Sequence, residues 1–120
     1  GRETAVYALH KLLVAQGRDS EAQTLRAALE ADRKNDPYYW IGLGHQHLQE
    51  GNTYRAVAAL ERAQDLTTGF AEVHRYLAQA YLLQGKTAKA QEQLDTLARI
   101  NQQDASLPTL QSKLSKKLQR

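Results

Sequence analysis

At 120 residues, with 42% apolar and 24% charged side chains, the chain is long enough for one modest core and too apolar for a disordered tract. It has no cysteine, which excludes thiol catalysis, disulfides and cysteine-ligated metals within these residues. The formal charge of +3 sits in the tail: from Gln103 onward four basic residues face Asp104 alone, while the other 102 residues carry 12 basic and 12 acidic side chains. The body of the chain therefore has no bias towards polyanions.

In chain order, apolar residues recurring three and four apart predict helices over 3–16, 19–34, 38–50, 53–66, 71–84 and 87–101. Leu9, Leu12 and Leu13 mark the first, Trp40, Leu43, His47 and Leu48 the third, and Tyr76, Leu77, Ala80 and Tyr81 the fifth. Gly17, Gly51 and Gly85 separate these helices in pairs at a spacing of 34 residues. A glycine there suits a helix end that turns into the left-handed region. Asp19, Asn52 or Thr53, and Thr87 stand close behind and are expected to cap the next helix. A leucine precedes each glycine by eight residues (Leu9, Leu43, Leu77), and an alanine follows five later (Ala22, Ala56, Ala90). The segment 104–119 leaves this pattern. Ser106 and Pro108 open a last helix in which Leu110, Leu114 and Leu118 form one stripe, backed by Gln111, Lys113, Lys116, Lys117 and Gln119. A narrow leucine stripe without interfacial tryptophan or phenylalanine reads as a cap over the end of a helical stack rather than as a membrane-surface helix.

The period and its residues resemble the tetratricopeptide (TPR) repeat family over about residues 3–102. The second repeat carries the family pattern most fully, at Trp40, Leu43-Gly44, His47, Gly51, Ala56, Leu60 and Ala63. The third reads His74, Leu77-Ala78, Tyr81, Gly85, Ala90, Leu94 and Leu97, and the first, degraded, Val6, Leu9-His10, Leu13, Gly17, Ala22, Arg26 and Leu29. The resemblance implies an all-α fold: a right-handed superhelical solenoid of helix–turn–helix repeats, closed by a C-terminal capping helix. It would form a single domain over 1–120, with repeats at 3–36, 37–70 and 71–102 and the cap at 104–119. The start at Gly1 without methionine is expected of a piece of a larger protein, and the absence of cysteine fits a bacterial cytoplasm or periplasm equally. The stretch Asp36-Pro37-Tyr38-Tyr39-Trp40 resembles TPR regions of proteobacterial proteins that carry a transglutaminase-like or peptidase-like domain upstream.

Chemistry finds little support. His10, His45, His47 and His74 are the only histidines, and His45 and His47, two apart, diverge on a helix where a metal pair needs i, i+4 spacing. His47 and His74 take core positions of the repeat. There is no GxSxG, phosphate-cradling glycine loop or DxDxDG loop. No catalytic, metal or cofactor residue is assigned, and the expected activity is non-enzymatic. The predicted site is instead the groove that the first helices of stacked repeats line: Tyr7, Lys11, Tyr38, Ile41, His45, Arg75, Tyr76, Gln79 and Leu82. Tyrosine and arginine favour binding hot spots, so the expected partner is a protein, held by a peptide or helix in that groove. The positions that in TPR co-chaperones clamp the C-terminal carboxylate of heat-shock proteins are Tyr7, Lys11, Gly42, Glu72 and Tyr76, and none matches. Neither membrane insertion nor nucleic-acid binding is expected, since the basic tail lacks interleaved aromatics. The alternative is an auxiliary domain docked on an upstream hydrolase-like enzyme.

Overall fold

The computed structural model describes residues 2–119. They form seven α-helices and no strand: α1 (Arg2–Ala15), α2 (Asp19–Lys34), α3 (Pro37–Gln49), α4 (Thr53–Leu66), α5 (Ala71–Leu83), α6 (Thr87–Ile100) and α7 (Leu107–Leu118). The first six agree with the predicted limits to within one residue at either end. The chain divides into two compact units, one ending at Asp36 and the other starting at Pro37.

The three repeated glycines make the same turn three times. Gly17, Gly51 and Gly85 have φ of +73°, +78° and +74°. Each glycine amide donates to the carbonyl three residues back (Val14, Leu48, Leu82), and the following amide donates to the carbonyl five back (Leu13, His47, Tyr81), all at 2.8–3.1 Å. These paired bonds satisfy carbonyls that the ending helix leaves free. Gly69, at φ +87° between α4 and α5, makes a fourth left-handed position that the repeat pattern does not announce.

The caps depart from expectation. Only Asn52 caps as proposed, its side chain accepting from the Arg55 amide at 3.2 Å. Asp19 and Thr87 are the first residues inside α2 and α6, whose cap positions are Arg18 and Lys86 without a side-chain cap bond. The two bonds of the glycine turn set the backbone just ahead of these helices, one residue earlier than the capping residue types suggest.

In the unit ending at Asp36, α1 pairs with α2 around Leu13, Ala22 and Leu29. In the unit starting at Pro37, α3 pairs with α4, α5 with α6, and α5 also contacts α3, α4 and α7. The result is a row of α3, α5 and α7 lined on one side by α4 and α6. Its centre is Leu60, Leu77, Leu94 and Leu97, each at most 1% exposed. Burial of each contributes roughly 1.5–3 kcal/mol. Repeated alanines Ala56, Ala63 and Ala90, fully buried, let the helices approach. Gly44 lets α3 approach α4 in the same way: a Cβ there would lie 2.6 Å from Leu60 Cγ.

α7 covers the end of this row against α5 and α6. It begins at Leu107 rather than 104, because Asp104 and Ser106 form the turn that precedes it. Leu107, Leu110 and Leu114 are buried, but Leu118 is 62% exposed, so the predicted stripe ends one turn early and starts one turn sooner. The buried set stands 34 residues after Val73, Tyr76 and Ala80 of α5. α7 thus occupies the place of another first helix. Gln111 and Ser112, however, stand exposed where Leu77 and Ala78 are buried in α5.

Candidate functional site

The nine groove residues fall in both units. In the first, Tyr7 and Lys11 are exposed on α1. The Tyr7 hydroxyl accepts from Arg33 Nη2 at 2.5 Å, and the Arg33 guanidinium lies 5.4 Å from the Tyr7 ring centre.

In the second unit the other seven separate into three groups. Ile41 and Leu82 belong to the buried core cluster. A helical projection cannot tell a lining side chain from one that seals neighbouring first helices, and α3–α5 and α5–α7 contacts close over these two. Tyr38, His45, Tyr76 and Gln79 stay at least partly open. The His45 ring stacks on Tyr76 with centres 4.7 Å apart and planes at 15°, which ties α3 to α5 through an aromatic platform. Tyr38 rests on Phe70 at 5.2 Å.

Arg75 forms the third group by itself. Its Nη2 meets Asp104 Oδ2 at 2.6 Å, with the carboxylate side chain only 4% exposed. The other carboxylate oxygen accepts from the Ser106 amide at 2.9 Å and from the Ser106 hydroxyl. The Arg75 hydrogen bond, then the Ser106 hydroxyl, hold the Asp104 carboxyl down to about 2, from an ordinary 3.8, against the opposing effect of burial. The same bond raises the Arg75 guanidinium. Arg75 is thus a latch between α5 and the turn into α7. Nothing in the local pattern around residue 75 announces this, because its partner lies 29 residues away.

Beyond Gln79 the α5–α7 face opens into a cleft of about 380 Å³, lined by Gln79, Leu82, Leu83, Leu110, Lys113, Lys116 and Lys117. By sequence the lysines read as the solvated back of a cap, and Leu83 falls outside the predicted groove. The signal was available: Leu83 is a large apolar residue off the core stripe, and the lysines recur at i, i+3 and i+4.

His74 and His47 pack against neighbouring side chains. His74 is buried, with Nδ1 2.8 Å from Gln93 Oε1 across α5 and α6. His47 is half-buried, and its Nδ1 lies 3.5 Å from Glu50 Oε2. Among the described residues no three His, Cys, Asp or Glu side chains gather as a cation site, and no helix is long and apolar enough to cross a membrane.

A family model described as a tetratricopeptide repeat matches residues 47–114, from the last turn of α3 into α7. Among curated proteins none matches the chain.

Proposed function

We propose a function from one premise: the chain belongs to the tetratricopeptide-repeat family, whose repeats generally mediate protein–protein interaction and are typically non-catalytic. On our reading it is a non-enzymatic interaction module. It takes a peptide or helix of a partner protein on the open face of the α3–α5–α7 row, with side-chain anchors supplying specificity.

The observation that carries this reading is the His45–Tyr76 stack with Gln79 one turn further along α5. An aromatic platform flanked by a side-chain amide offers broad contact and hydrogen bonds without needing to unfold anything. Arg75, held by Asp104, serves this face by fixing α5 against the turn into α7.

The test begins with a pull-down by the full chain, followed by titration calorimetry of the recovered partner. His45→Ala with Gln79→Ala should weaken binding by about 2 kcal/mol if either is a hot spot, with the helical spectrum unchanged. Arg55→Ala with Gln91→Ala, exposed on α4 and α6, should leave affinity as it is. Loss of affinity in the second pair alone would move the function to the opposite face.

A further inference from the structure

We propose that the α5–α7 cleft is a docking site for an acidic amphipathic helix of a partner protein. Such a helix would place one large apolar side chain on Leu82, Leu83 and Leu110 and its carboxylates against Lys113, Lys116 and Lys117. The proposal rests on the open-face reading and assigns the chemistry of the partner at one end of that face.

Charge is the first argument. The tail from Gln103 is the part of the chain with uncompensated charge. Its single acid, Asp104, is already matched by Arg75. Lys113, Lys116 and Lys117 therefore have no acid left to them in their own segment, and among the described residues none of the three forms an ion pair. Their spacing puts them along one edge of α7, bordering the cleft. Lysines in a last helical turn also complement the helix dipole. That accounts for Lys116 and Lys117, but not for Lys113 one turn earlier, nor for the apolar floor.

The floor is the second argument. Leu82 and Leu110 are buried between the helices, while Leu83 is 65% exposed at the end of α5. A cleft of about 380 Å³ lies within the range of sites that enclose a ligand group. Leu83 stands open at the mouth of the cleft, and Leu82 and Leu110 close its floor. No aromatic residue lines it on which a nucleic-acid base could stack. Leucine floor and lysine edge together match a helix carrying an apolar residue with carboxylates at i, i+3 and i+4.

The probe is a fluorescein-labelled synthetic helix with glutamates at that spacing around a central leucine, titrated against the full chain. A matched peptide with glutamine for glutamate, and vesicles of phosphatidylserine and phosphatidylcholine, run beside it. The acidic peptide should bind in a salt-dependent way, and the glutamine peptide much more weakly. K113Q/K116Q/K117Q and, separately, Leu83→Ser should each weaken binding at least about tenfold. Lys86→Gln with Lys89→Gln, whose amines lie over the rings of Tyr54 and Tyr81, should not. All these positions except the half-buried Lys117 are exposed, so thermal melts of every variant should match the parent and exclude misfolding.

Absence of binding by the acidic peptide would overturn the proposal. So would binding that survives either cleft variant, equal binding of the glutamine peptide, or vesicle binding that tracks the lysines and ignores Leu83. Partner binding lost in the His45–Gln79 pair but kept in both cleft variants would leave the open-face reading standing and remove this one.

Discussion

Two regions of the molecule start from the same 34-residue pattern and end with different interiors. In the second and third repeats a small residue in the first helix faces a large one in the second. Gly44 meets Leu60, and Ala78 pairs by position with Leu94, all four buried. In the first repeat these positions hold His10 and Arg26. They line an open cleft of about 180 Å³ with Val6, Tyr7, Leu29, Glu30 and Arg33, while Leu9, Leu12 and Val14 are exposed. The glycine turn is the same in all three repeats. Turn geometry and core packing are thus separable layers of the repeat. Three backbone residues and a glycine are enough for the first, whereas the second needs a matched pair of side chains from two helices.

The comparison breaks most clearly at its core. Leu94→Ala should cost about 2–5 kcal/mol in chemical denaturation, as expected for a fully buried leucine. Leu9→Ala, at a half-exposed site, should stay within about 0.5 kcal/mol. Equal losses would mean that the first repeat is packed as tightly as the third.

Asp104 gives the next effect. Its folded pKa of about 2 lies below the ordinary 3.8. The stabilisation is therefore fully present above the ordinary value and disappears as pH falls through about 2. Asp104→Asn should lower stability at neutral pH by on the order of 2 kcal/mol, and the gap to the parent should close towards pH 2. Urea titrations at both ends of that range measure it. A gap independent of pH would show that the latch works through Ser106 rather than through charge.

The turns should behave alike wherever they sit. Gly17→Ala and Gly51→Ala meet no atom within 4 Å, so each costs only the positive φ, about 1 kcal/mol. Native-state hydrogen exchange of the flanking amides reads this repeat by repeat. A much larger loss at Gly51 would tie the turn to the packing after all.

The smallest change sharpens the contrast from the other side. His10→Ala with Arg26→Leu rebuilds the small–large pair in the first repeat and should raise exchange protection in α1 and α2 by up to about 1 kcal/mol. Unchanged protection would mean that more than this pair separates the two interiors.

What the sequence makes legible follows the same division. Helix limits and the left-handed glycines are local: periodicity, a glycine and its two backbone bonds decide them, and the six repeat helices end within a residue of expectation. Features that depend on distant partners do not show in a linear pattern. The Arg75–Asp104 pair joins residues 29 apart, so Arg75 reads as a groove side chain until its partner is seen. Leu118 continues a correct i, i+4 stripe past the point where α7 has anything to cover. For the same reason Ile41 and Leu82 project correctly from the first helices and still end in the core. The open His45–Tyr76 face was half legible: both residues belong to the predicted set, but their mutual stacking requires α3 and α5 side by side.

α7 stands at the address of a further first helix, yet carries Gln111 and Ser112 where Leu77 and Ala78 sit in α5. In the language of polymers it has the form of a terminator: it accepts the bond offered by the preceding unit and carries two polar side chains where α5 offers Leu77 and Ala78. An added helical pair spliced in ahead of Asn101 would have to reproduce the Arg75 position as well as the leucine surface, because the terminator recognises its neighbour through both.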